Sequence, residues 1–418
     1  MNWRLVALFL AASSVLPVFG LDGTIVSDVD QTAARTIFGP GLSPIQADTA
    51  RGTLQSVVGD SATIGGWTIK GAVWALVDSL PTNDPTQVPS GGVTFSSRLL
   101  ELDAQWQVVP GTWMLDVGKQ IIHPSSGFFK TPLNLISRGA AGNVPETTPA
   151  ASPQWEEGWL GAKIVYVVGD WTFEDFFSPP MTWSDNVDQI LHYLTLQQSS
   201  LQNQFRIDGH LGNTDLQLLA LLTSDNQVHF QTGAGVEFNL GDSLTVRAEA
   251  TLSDSLDRTY VVDAASLAVA TQTLTWVPRL LIGTTWSVTN DLSLVTEYYY
   301  NGLGFLGSDY TSAVQYAKNR FAAGANSPDI LGQFGSFSAG RNYAFVRLAD
   351  NISNQVTGQG WAEVNLQDLS GMLGIGISAK YDHWALTGAL AQTWGTDGSE
   401  AHALPYLWQV NAELQFFF

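Results

Sequence analysis

The chain contains no cysteine in 418 residues. That excludes a disulfide framework, a thiolate metal site, a thiol nucleophile and a lipid anchored through sulfur behind an export signal. Charge is also scarce: Asp, Glu, Lys and Arg make up 13% of the residues, against roughly 25% in ordinary soluble domains. Basic residues are the rarer sign, 18 against 38 acidic, for a net charge of −20. That balance argues against nucleic acid and against an anionic lipid surface as partners. Long apolar runs are missing as well. Beyond residue 20 no stretch approaches the roughly 18 consecutive apolar residues of a membrane-crossing helix.

The N-terminus carries an address. Met1 to Arg4 is positive, Leu5 to Phe19 is mostly apolar, and Val18 and Gly20 suit cleavage before Leu21. Residues 1–20 therefore read as a secretory signal peptide. Its removal takes Arg4 with it and moves the net charge from −20 to −21.

Most of the remaining chain alternates between apolar and polar residues. In 227–238, Val228, Phe230, Ala234, Val236 and Phe238 face one way, and His229, Gln231 and Glu237 the other. Leu244, Val246, Ala248, Ala250 and Leu252 oppose Thr245, Arg247 and Glu249; Leu373, Ile375 and Ile377 oppose Gly374, Gly376, Ser378 and Lys380. Successive side chains of a strand point to opposite faces, so each segment has one greasy and one wet face.

The connections alternate too. Tight turn signals stand at 109–112, 168–171, 212–215, 240–243, 289–291 and 381–383. Longer polar stretches lie at 80–90, 122–157, 181–203, 253–272, 301–341 and 395–405. Segregation of short turns to one end and long loops to the other is a property of transmembrane β-barrels. The pattern predicts an all-β antiparallel barrel over 61–418, of about sixteen strands with fourteen to eighteen allowed. Residues 21–60 fit the alternation poorly. They are expected to form a periplasmic tail, a plug inside the barrel, or another hairpin that raises the count to eighteen.

The last strand, Tyr406-Leu-Trp-Gln-Val-Asn-Ala-Glu-Leu-Gln-Phe-Phe-Phe418, resembles the terminal strand of bacterial outer-membrane β-barrels. In those proteins the final aromatic residue, here Phe418, is read by the barrel-assembly machinery. Gly118-Lys119-Gln120, followed by a loop with Pro124, Gly127 and Pro132, resembles a strand end in porin-like families, as does the hairpin Asn365-Leu-Gln-Asp-Leu-Ser370. The resemblance implies an outer-membrane location, lipid around the barrel, a homotrimer, and a first long loop that folds inward. Residues 32–43 are similar to the N-terminal hatch of long-chain fatty-acid transporters, although this chain lacks that motif's Asn and Ala.

By parity the inward basic residues are Lys70, Lys163, Arg206, Arg247, Arg279, Arg347 and Lys380. The inward acidic ones are Glu101, Asp103, Asp116, Glu174, Asp208, Glu237, Glu249, Glu297, Glu363 and Glu413. Rows of both signs suit either a charged constriction that orients polar solutes or a ladder of wall ion pairs. Arg247 and Arg279 are the basic constriction candidates; Glu101, Asp103 and Asp116 are the acidic patch opposite. Lys119 falls on outward parity, where it either snorkels at the interface or is turned inward by a bulge at Gly118.

Catalytic signals are poor. The six histidines show no metal-ligand spacing, no Gly-x-Ser-x-Gly occurs, and no cofactor motif is present. The expected function is passive diffusion of small hydrophilic solutes and ions through a charged lumen. The alternatives are a substrate-specific transporter with an N-terminal plug and a closed adhesin or structural barrel.

Overall fold

Alternation this persistent is satisfied best when every strand pairs on both sides and no edge is left open. The computed structural model describes residues 22–34, 48–64, 67–79, 93–120, 122, 132–133, 159–180, 200–224, 228–322, 339–382, 384–403 and 406–417. They form one antiparallel sheet of eighteen strands. In order these are β1 (Asp22–Ala34), β2 (Asp48–Ile64), β3 (Trp67–Ser79), β4 (Val93–Val109), β5 (Trp113–Gln120) and β6 (Trp159–Val168). Then come β7 (Trp171–Ser178), β8 (Leu201–Leu211), β9 (Thr214–Ser224), β10 (Val228–Leu240), β11 (Leu244–Asp263) and β12 (Ala268–Ser287). The last six are β13 (Leu292–Asn301), β14 (Asn342–Asn351), β15 (Val356–Asn365), β16 (Gly371–Lys380), β17 (Trp384–Trp394) and β18 (Tyr406–Phe417).

Each strand pairs with its chain neighbours. β1 also pairs with β18, from Thr24↔Phe417 to Ala34↔Tyr406. The pairings run round without an end, which is a barrel-like arrangement. Every link after an even-numbered strand is short, as at 110–112, 169–170, 212–213, 241–243, 288–291 and 352–355. The long links 121–158, 179–200 and 302–341 all follow odd-numbered strands. The start of β1 and the end of β18 lie at the short-link end.

The count is eighteen where the pattern predicted about sixteen. The two extra strands come from residues 21–60, expected first as a tail or plug. β1 and β2 pair with each other from Asp22↔Gly59 to Ala33↔Asp48, the additional-hairpin alternative. Period two is weak there because both rows are mixed: Thr24, Val26 and Asp28 share one, Ile25, Ser27 and Val29 the other. A second difference lies at 253–272, expected as a loop. There β11 and β12 continue as a hairpin through Thr259↔Thr271 and Val261↔Val269.

The link 302–341 holds a helix, α1 (Gly307–Ala322), that the polar composition concealed. Asp309 in its first turn and Arg320 in its last complement the helix dipole. Tyr310, Ala313, Val314 and Ala317 recur at helical spacing. They pack with Phe305 against Tyr260, Val261, Ala264 and Leu267 at the tip of the β11–β12 hairpin. A four-residue helix, α2 (Glu400–Ala403), lies in the link before β18. Residues 1–20 and Phe418 lie outside the described residues.

Candidate functional site

The two faces of the sheet differ as the alternation requires. Leu218, Leu373, Ile375 and Ile377 are more than half exposed on one face. On the other, Arg247 is 4%, Glu249 2% and Glu297 4% exposed. In a sheet whose pairings close, the covered face is the inner one. Aromatic residues ring the outer face at the short-link end. Trp67 stacks on Trp106 at 5.4 Å, Trp113 meets Tyr166 at 4.5 Å, and Tyr381 stacks on Trp384 at 4.3 Å. Trp159 packs instead with the buried Ile122, Phe176 and Leu221.

The charged rows of the inner face are largely organised into cross-strand pairs. Lys163 on β6 lies 3.4 Å from Asp116 on β5. Asp116 lies beside the buried Asp103 of β4. Lys70 stands opposite Asp103 in the β3–β4 register. On β8, Arg206 lies 2.8 Å from Asp208 and 3.8 Å from Glu174 on β7, and Gln217 donates to Asp208 at 2.9 Å. Arg247 on β11 lies 3.7 Å from Glu297 on β13, reaching across β12 at Gly283. It also donates to Thr285 Oγ1. Glu237 stands opposite Arg247, and Glu249 opposite Gly235. Arg347 donates to Gln359 at 2.8 Å, and Glu363 is half-buried opposite Phe345.

Some expected groupings do not assemble. Arg247 stands opposite Gly283, and Arg279 opposite Thr251. The two arginines are thus four positions apart along the hairpin, roughly 13 Å at strand rise, and do not share one ring. Lys380 is exposed at the short-link end of β16. Glu101 and Glu413 are placed by register alone, opposite Ala72 and Thr387.

Lys119 is 4% exposed, which excludes a snorkelling position at a wet interface. The register through Gly118 is continuous, so no bulge is present. Instead Gly118 has φ +138°, and a Cβ there would fall 2.2 Å from the Leu102 carbonyl oxygen. Only glycine permits that approach.

Leu133, in the connection after β5, lies in the interior. It is 1% exposed. A Cβ built at Gly233 on β10 would sit 2.5 Å from its Cδ2, and one at Gly235 would sit 2.9 Å from its Cδ1. The two glycines form a seat on the inner wall for a side chain from five strands away. Parity placed them inward but gave no hint of their occupant.

At the long-link end a polar junction ties three links together. The buried Glu400 of α2 accepts from the Ala339 amide at 2.7 Å and the Tyr343 hydroxyl at 2.8 Å, and Asn365 Nδ2 also donates to it. Asp368 accepts from the Tyr310 hydroxyl and from the Ser370 and Glu400 amides. Burial pushes the Glu400 carboxyl above the usual carboxylate range, although these donors oppose the shift. Asn365, Asp368 and Ser370 are the residues of the hairpin motif noted in the sequence, and here they serve as loop anchors.

One polar group was missed from the sequence. His229 Nδ1 lies 2.6 Å from Ser255 Oγ and 4.0 Å from Asp254 Oδ1. Both partners face the same ring nitrogen, whereas a nucleophile–base–carboxylate triad needs them on opposite nitrogens. Among the described residues no three metal-ligating side chains converge.

No protein-family model matches the chain, and no curated protein matches it. Solved structures do. OccAB1 of Acinetobacter baumannii aligns with a TM-score of 0.56 and 11% identity over 96% of this chain and 96% of that one. OpdL of Pseudomonas aeruginosa aligns with a TM-score of 0.53 and 10% identity over 95% of this chain and 97% of that one. A mutant of the Rh. blastica porin covers 95% of this chain and 99% of its own at 9% identity, with a TM-score of 0.46. At such identities the likeness is one of architecture. The chain has a β-barrel fold that resembles bacterial outer-membrane porins.

Proposed function

We propose that the protein is an outer-membrane barrel that lets small hydrophilic solutes and ions diffuse through a charged lumen. The observation that carries this reading is the division of one sheet with cyclic pairing into an outer apolar face and an inner face of charged rows. Lipid is the medium that suits the first, and water the second. The outer face also has a suitable height. Trp276 and Trp286 both face outward, ten positions apart on β12. At strand rise and a tilt near 40° that separation is roughly 25 Å along the membrane normal, the height of an apolar band between aromatic girdles.

The inner wall supports a narrowed pore. Leu133 on its glycine seat brings part of the 121–158 connection into the interior, where solutes must pass it. The ion pairs among Lys163, Asp116, Arg206, Glu174, Arg247 and Glu297 stiffen the wall and leave few uncompensated charges. A mild cation preference follows from the acidic surplus in the inner rows, strongest at low salt where screening is weak. Residues 22–34 and 48–64 are strands of the sheet, which supports an open barrel over a plugged transporter. Reconstitution into planar bilayers tests the proposal: steady ohmic conductance supports it, and a silent protein in intact membranes refutes it.

A further inference from the structure

A cavity of about 150 Å³ opens on the inner face near the long-link ends of β9, β10 and β11. It exists because β10 and β11 part company there. Their last described pair is Gln231↔Ser253, while β11 runs on to Asp263. Thr223, His229, Gln231, Ser255, Leu256 and Asp257 line the space.

The hydrogen bonds fix what the walls offer. The Ser255 hydroxyl lies 2.6 Å from His229 Nδ1 and 3.3 Å from Asp254 Oδ1, which ties the imidazole to the β11 wall. Gln231 Oε1 accepts from Ser253 at 3.2 Å, which turns its amide nitrogen the other way. Asp257 is exposed and accepts from Thr273 Oγ1 at 2.7 Å, leaving further acceptor capacity on its carboxylate. Among the described residues that line the space there is no lysine or arginine. A carboxylate with spare acceptors beside amide and hydroxyl groups calls for a cation that also donates and accepts hydrogen bonds. At about 150 Å³ the space is below the range of drug-sized ligand pockets, so the guest is small.

We propose that this cavity is a binding station for small ammonium-bearing, hydroxylated solutes at the outer mouth of the pore. The inference rests on the porin reading for its setting and adds a solute class to it. The ammonium group sits at Asp257, and the hydroxyl at Gln231 and Thr223.

Ethanolamine is the probe, with ethylene glycol as its uncharged counterpart. Two readouts are used: block of KCl current in planar bilayers, and calorimetric titration of the folded full-length protein in detergent. Ethanolamine should saturate both at millimolar concentration, and ethylene glycol neither. Asp257→Asn should raise the half-saturation concentration about tenfold, and Asp257→Glu should restore it to within about threefold. Equal responses to the two probes, or an unchanged half-saturation in folded Asp257→Asn, would overturn the assignment. A protein that conducts KCl but gives no saturable ethanolamine response refutes the station alone. One that binds ethanolamine by calorimetry but never conducts refutes the pore and keeps the station.

Discussion

At the residue scale, the inner wall works through what is small as much as through what is charged. Gly233 and Gly235 make room for Leu133, and Gly374 makes room for Trp361, whose ring would lie 2.2 Å from an added Cβ. Gly233→Val should displace Leu133 and change single-channel conductance by a factor of about two while leaving heat-modifiable migration intact. Unchanged conductance would mean that Leu133 does not border the permeation path. Arg247 and Arg279 should separate in the same way. Arg247→Gln removes the guanidinium charge from beside the buried Glu297 and should cost about 3–5 kcal/mol in unfolding titrations. Arg279→Gln should cost little and should shift the reversal potential toward cations. Of these features, the shared strand face of the two arginines was legible from parity. Their four-residue offset was not, because register is a property of two strands and cannot be read from either one.

At the element scale, strand faces were readable wherever a row was uniform and hidden wherever it was mixed. β10 and β16 announce themselves, while β1 and β2 alternate polar and apolar residues within the same row. α1 was concealed by a polar loop composition, although Tyr310, Ala313, Val314 and Ala317 carried the helical period. The face assignment has a direct check. Ile375→Arg places a charge on the outer face of β16 and should destabilise the inserted barrel by about 2–4 kcal/mol. Ser378→Arg, on the inner face of the same strand, should fold nearly as well as the parent. Equal losses in urea refolding would contradict the division of faces. The junction of the long links makes a prediction about pH. Burial raises the Glu400 carboxyl above its unfolded value. Its contribution to closure is therefore fully present below the ordinary glutamate range and is lost as pH rises through the raised value. Limited proteolysis of the 366–370 and 395–405 links should accelerate over that interval. Glu400→Gln should flatten the dependence, and a dependence that survives the substitution would assign it to another group.

At the scale of the whole molecule, the absences in the sequence carried the most information. Without cysteine, without a spanning helix and with sparse charge, a chain of alternating segments has few ways to bury its apolar rows. Eighteen strands with a β1–β18 pairing are one of them. The alternation of short and long links was visible in the sequence because turn chemistry is local. The strand total was not, because it depended on a hairpin with no clean period. The inward placement of Leu133 arises from its contact with a strand far away in the chain, and the cavity beside His229 from the point where β10 and β11 part; neither is encoded in a local pattern. The measurement that tests the central claim most directly is the current across a planar bilayer containing the purified protein, with the reversal potential read in a KCl gradient. The account predicts steady, ohmic steps with mild cation preference that grows as salt is lowered. Absence of conductance from protein shown to be inserted and folded would contradict it.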